Sequence, residues 1–314
     1  MGLDVNVVEW LLEGDPAIRW QVKRDLLDAP FRTERKQVAK EGWGRKLLAL
    51  QCDDGRLTKE RGSNGYRGLY NPKFTSTTYT LLLLRRFGIE PANRQCRRGC
   101  DVLVDGSQWF DDGSVGPWNS RRSSSRRTDT CVCGMFLGLL SYFDHDIELR
   151  HGLIGYLREQ QKPDGGWNCM RSHVSSVHST LTTLEGLHLA QERMPSRELN
   201  ASIRRGQEYL LERHLMRSKR TGELINAKFL QFSFPPRWKY DVLRALEHFR
   251  DTDTRDARLE EAVSLVLKKR TKSGTWELRN RHSGETHFEM EKAGKPSRWN
   301  TLRALRVLRW WSKL

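Results

Sequence analysis

Residues 126–135, "RRTDTCVCGM", place a carboxylate and two thiols within five positions, at the head of an apolar run. Asp129, Cys131 and Cys133 are residue types that hold zinc, because Zn²⁺ takes thiolate, imidazole and carboxylate together in tetrahedral geometry. Three protein ligands leave a fourth position open, and a metal in such a site activates a bound water or thiol near neutral pH. The same residues also make an ordinary helix start, with Asp as an N-cap and two free Cys as small core fillers. The stretch alone leaves both readings open, so the decision passes to the elements that bring other groups to it.

The chain has 314 residues, 37% of them apolar and 11 of them Trp, enough for a sizeable core. Six Cys (52, 96, 100, 131, 133 and 169) are too sparse for a disulfide scaffold of this length, which leaves the thiols for packing or metal. No run of about 18 apolar residues suggests a membrane span, and "MGLDVNVVEWLLEGD" has acids where a signal peptide carries positive charge. The expectation is a cytoplasmic protein. A net charge of +16 favours an anionic partner, but the basic residues are dispersed along the chain, which weighs against dedicated nucleic-acid binding.

A repeat organises these residues. Every 52–58 residues the chain returns to a Gly-centred turn: "DDGRL" (53–57), "DDGSVGPW" (111–118), "PDGGWNC" (163–169), "TGELIN" (221–226) and "SGTWEL" (273–278). Before most turns lies an amphipathic helix, as in 152–167, where Leu153, Tyr156 and Leu157 share one face. After each turn comes a more apolar segment: "TSTTYTLLLLRRF", "TDTCVCGMFLGLLSYF", "VHSTLTTLEGLHLA", "WKYDVLRALEHF" and "WNTLRALRVLRWW". No alternating strand pattern competes with these helices, so the class is all-α. Such hairpins bury their inner helices only by stacking, and five of them are few for an open array, so closure into a ring is expected. Residues 1–40 form an N-terminal helical extension, with Pro16 after Asp15 opening a helix, and 41–314 form the repeat domain. The extension packs outside the ring or completes it.

"GLIGYLREQQKPDGGW" resembles the repeat of the terpenoid cyclase and protein prenyltransferase superfamily, and 204–214 and 262–278 resemble weaker copies. The resemblance covers nearly everything after about residue 40 and implies an α/α toroid of about five helical hairpins around a cavity. Asp129 and Cys131 open one inner helix and His178 the next, an order similar to prenyltransferase β subunits, where an Asp-x-Cys and a His hold a catalytic zinc. Carried across, the resemblance implies Asp129, Cys131 and His178 as zinc ligands and catalytic residues, with Cys133 or Cys169 as a further ligand left open. It further implies an apolar or prenyl diphosphate substrate held by Tyr79, Arg126, Arg127, Arg171 and His173. Arg suits a diphosphate through its planar fork of donors, although a Ser/Arg run such as 120–127 also reads as a solvated loop.

Departures from the pattern are Ser76, where a prenyltransferase supplies a His, and Met135, where an aromatic is expected. The DxDD acid of class II cyclases is also missing, since "QWFDDGS" and "DTDTRD" lack the spacing, and Asp129 is the fallback acid if no metal binds. Trp109, Trp118, Trp167 and Trp276 read as spacers between helices rather than a ligand cage. Trp310 and Trp311 read either as an interfacial membrane contact or as helix packing. The function expected is a zinc-dependent prenyltransferase-like or terpenoid-cyclase-like enzyme acting on an isoprenoid. The alternatives are a non-catalytic toroid binding an anionic partner through its basic surface, and zinc-dependent thiol chemistry of the kind found in lanthionine-forming cyclases.

Overall fold

A computed structural model describes residues 4–59, 68–117, 128–169 and 173–312. Among these the chain is mostly helical. An N-terminal group comprises α1 (Val5–Leu12), α2 (Pro16–Asp25) and α3 (Arg32–Gln37). Five pairs follow: α4 (Gly42–Leu48) with α5 (Thr77–Phe87), α6 (Arg94–Gly106) with α7 (Thr130–Tyr142), α8 (Ile147–Glu159) with α9 (Val177–Arg193), α10 (Arg197–Leu211) with α11 (Val242–Asp251), and α12 (Glu260–Lys268) with α13 (Arg298–Trp311). The described strands are confined to the connections: β1 (Gln108–Trp109) pairs antiparallel with β2 (Val115–Gly116), and β3 (Trp276–Glu277) with β4 (Pro296–Ser297).

The five Gly-centred turns recur as geometry. Gly55, Gly113, Gly165, Gly222 and Gly274 all adopt positive φ, between +71° and +94°, which glycine occupies without a Cβ penalty. The Gln four residues earlier fastens two of these turns: Gln161 Nε2 donates to Gly165 O at 2.7 Å and to Ser202 O of α10 at 2.9 Å, and Gln51 does the same to Gly55 O and to Gln95 O of α6. At two turns the Trp that follows is a spacer, as expected, and Trp118 lies outside the described residues. Trp167 and Trp276 are fully buried, and each indole donates to the carbonyl ten residues earlier, Leu157 O and Val266 O, at 2.7 Å. Their backbone amides donate to Thr180 and Thr301 hydroxyls at 2.9 Å, which sets the inner helix against the turn.

The second helices of the pairs touch in succession, α5 to α7, α7 to α9, α9 to α11 and α11 to α13. The contact between α7 and α9 is the most intimate, because a Cβ on Gly134 would strike the Thr183 backbone at 2.8 Å and one on Gly186 would strike Gly134 itself. From α13 the contacts pass to α2, from α2 to α4, and from α4 to α5. Asp15 caps α2 by accepting from the Ala17 amide, with Pro16 at the first helical position, as the sequence indicates. Trp20 Nε1 then donates to Phe87 O at 2.7 Å, and Arg306 Nη1 of α13 donates to Gln21 Oε1 at 2.5 Å. The N-terminal group therefore joins the last inner helix to the first. Trp310 is buried with its indole donating to Asp253 at 2.7 Å, so packing accounts for it. No helix among the described residues is long and apolar enough to cross a membrane.

Candidate functional site

At the N-terminal ends of α7 and α9 the structure brings together Cys131 and Cys169, whose sulfurs lie 2.6 Å apart. Cys169 Sγ also accepts from the Cys131 amide in the first turn of α7 and from the Ser179 hydroxyl, each at 3.3 Å, with Thr130 Oγ1 at 3.7 Å. The hydrogen bond shared with Cys131 and these further donors outweigh burial and hold the Cys169 thiol down at about 7. The same hydrogen bond, reinforced by burial, pushes the Cys131 thiol well up. Cys133 is a core filler: it is fully buried beside Thr128 and Val115, and burial pushes its thiol up to about 12.

Asp129 occupies the N-cap position of α7, where its backbone carbonyl accepts from the Val132 and Cys133 amides and its side chain makes no cap bond. His178 Nδ1 accepts from the Tyr240 amide at 2.8 Å, and its ring packs edge-on against Phe229 and Trp238. Burial, then the cations Arg244 and Lys239, hold it down at about 4. A neutral imidazole that accepts at Nδ1 carries its proton on Nε2, which leaves no lone pair there for a metal. Among the described residues no three His, Cys, Asp or Glu side chains form a group able to hold a metal ion. Asp129, Cys131 and His178 are thus not brought together as one group among the described residues.

Of the expected substrate contacts, Tyr79 of α5 lines a narrow cavity with Met135, Arg237 and Arg244. Its phenol lies 3.3 Å from the Tyr70 hydroxyl, and burial pushes its pKa well up, so it stays a proton donor. His173 is exposed on the segment before α9. Arg126, Arg127 and Arg171 lie outside the described residues.

The residues that dominate the interior were not singled out from the sequence. A cavity of about 380 Å³ lies toward the C-terminal ends of the inner helices, where seven arginines face four carboxylates. It meets the Tyr79 cavity at Arg85, Arg86 and Glu185. Burial pushes Glu185 up, but Arg244 and Arg86 outweigh it and hold the carboxyl well below its ordinary range. Across the same cavity Glu247 bonds Arg303 at 2.7 Å and Arg306 at 3.0 Å, which against the cost of burial brings it down to about 2.

Arg85 is different. Its guanidinium lines both cavities, comes no nearer than 3.9 Å to Glu185, and donates no hydrogen bond to any described residue. Burial brings its pKa down to about 10. Arg237, lining the Tyr79 cavity, has no carboxylate partner among the described residues and lies over the Phe74 ring at 4.3 Å. Two under-partnered guanidiniums in one enclosed space favour an anion, because a buried cation is costly until it is paired and hydrogen-bonded. The signal for these residues was present in the inner helices, where Arg85, Glu185, Arg244 and Arg303 interrupt segments apolar on nearly every side.

No family model matches the chain, and no curated protein sequence matches it. Among solved structures it is similar to a protein from Actinoplanes at 16% identity, over 95% of this chain and 90% of that one, with a TM-score of 0.47. It is similar to the type II terpene cyclase MstE from Scytonema at 16% identity, over 94% of this chain and 86% of that one, with a TM-score of 0.45. A variant of MstE in complex with geranylgeranyl dihydroxybenzoate matches at 14% identity over the same shares, with a TM-score of 0.44.

Proposed function

We propose that the protein is a terpenoid-cyclase-like enzyme whose inner helices close an α/α toroid around an isoprenoid-type amphiphile with an anionic head. The observation that carries this reading is Arg85, a deeply set guanidinium without a hydrogen bond to any described residue, at the junction of an arginine-rich cavity and a narrower one walled by Leu82, Leu83 and Met135. An anionic head at Arg85 satisfies the charge, and the apolar wall takes the chain. Phe234 and Trp299, stacked with ring centroids 4.1 Å apart, both line the larger cavity, an aromatic lining that suits a developing carbocation.

Proton delivery needs a carboxyl that is not held ionised. Glu185 and Glu247 are clamped by arginines and are poor donors. Glu291, in the adjoining cavity shared through Phe234, is pushed up by burial against the bonds it accepts from Ser297 and Trp299, and we assign it as the proton donor.

The test is a thermal-stability and product screen with geranylgeranyl diphosphate, geranylgeranyl dihydroxybenzoate, geranylgeraniol and inorganic diphosphate. Stabilisation by the two anionic amphiphiles above the alcohol and above inorganic diphosphate, with a cyclised isomer detected by mass spectrometry, supports the reading. Equal stabilisation by inorganic diphosphate and by DNA overturns it in favour of a non-catalytic toroid that binds anions through surface charge.

A further inference from the structure

Cys131 packs at the edge of the core and Cys169 meets it there, both away from the anion site, and their placement points to chemistry of their own. They come from different repeats, 38 residues apart, yet their sulfurs are 2.6 Å apart, within reach of a bond after a small side-chain rotation. Both side chains are partly exposed, unlike the buried Cys96, Cys100 and Cys133. Around Cys169 Sγ stand donors suited to a thiolate, the Cys131 amide at 3.3 Å and the Ser179 hydroxyl at 3.3 Å. Cys131 also lies one helical turn before Met135, which walls the Tyr79 cavity, so the pair sits at the rim of the interior.

We propose that Cys169 and Cys131 form a reversible disulfide couple, Cys169 attacking and Cys131 resolving, which takes oxidising equivalents from a small disulfide such as oxidised glutathione. Cys169 thiolate attacks one glutathione sulfur, the glutathione disulfide bond breaks, and one glutathione thiolate leaves and takes a proton from water. Cys131 then loses its proton to water and attacks Cys169 in the mixed disulfide, releasing the second glutathione. Two protein thiols are oxidised, and one oxidised glutathione becomes two reduced ones. The bond ties the first turn of α7 to the segment ahead of α9.

The full chain is equilibrated in reduced and oxidised glutathione buffers, with and without EDTA, trapped with N-ethylmaleimide, and mapped by mass spectrometry. The couple is expected to protect two of the six thiols in oxidising buffer only, as a Cys131–Cys169 cross-link that dithiothreitol reverses and EDTA leaves intact. C131S is expected to trap glutathione on Cys169, and C169S to react at least tenfold more slowly at Cys131. Alkylation of all six thiols in oxidising buffer, a cross-link through Cys133, or protection in reducing buffer that EDTA abolishes each overturns the proposal, the last assigning the pair to a metal. The wild-type map decides the matter should a variant fail to fold.

Discussion

The Arg244 guanidinium grips the Glu185 carboxylate with two parallel hydrogen bonds, Nε to Oε1 at 2.8 Å and Nη2 to Oε2 at 2.9 Å, joining α11 to α9 across the interior. Arg86 adds a third contact at 3.2 Å from α5. Three inner helices thus converge on one carboxylate. Removing either partner strands a charge, so Arg244→Ala and Glu185→Ala are each expected to cost about 3–5 kcal/mol. The double variant is expected to cost less than the sum, read from urea unfolding as a double-mutant cycle.

Acid sensitivity follows from His178. Its folded pKa of about 4 lies below the ordinary 6.5, so between those values the unfolded chain binds a proton that the folded chain does not. Stability is therefore expected to fall as pH drops from 6.5 toward 4 and to level off below that, with about 1–3 kcal/mol from this residue. Urea midpoints at pH 7 and pH 4.5 check it: His178→Asn, which can still accept from Tyr240, is expected to show the smaller decline.

Arg85→Gln keeps a polar side chain and removes the charge. It is expected to weaken binding of geranylgeranyl diphosphate by about tenfold or more while leaving geranylgeraniol unchanged, measured by calorimetry. Glu291→Gln is expected to retain that binding and lose turnover.

Trp167 is a packing residue, so its loss should appear in stability and not in ligand preference. Trp167→Ala is expected to cost about 3–5 kcal/mol, with the order of preference among the four ligands unchanged. A changed order would return the turn tryptophans to the ligand site.

Zinc is expected well below one equivalent per chain in the purified protein, with unfolding unmoved by EDTA. A full equivalent, lost on His178→Ala, would require His178 to release the Tyr240 amide and turn toward Cys131.

The sequence foreshadowed the architecture because glycine and tryptophan each obey a local rule. A left-handed turn at Gly165 and an indole at Trp167 reaching back to Leu157 depend on near neighbours, and so they leave a period that can be read. The interior obeyed no such rule. Arg85, Glu185 and Arg303 sit on helices whose apolar residues show burial without showing which charges are buried with them, and their partners come from other repeats. The thiols were read in part. The sequence marks Cys131 as chemically able and Cys169 as a candidate further ligand, but only the close packing of α7 on α9 at Gly134 and Gly186 shows that these two meet while His178 turns to Tyr240.

The bonds from Arg298 to Trp10, Arg306 to Gln21 and Arg309 to the Asp25 carbonyl span nearly the whole chain. During synthesis α13 emerges long after α1 and α2, so the docking face of the N-terminal group stays bare until α13 is made. Shortening the chain by its final helix would leave that seam unsewn, and the arginine-lined hollow open to bulk water.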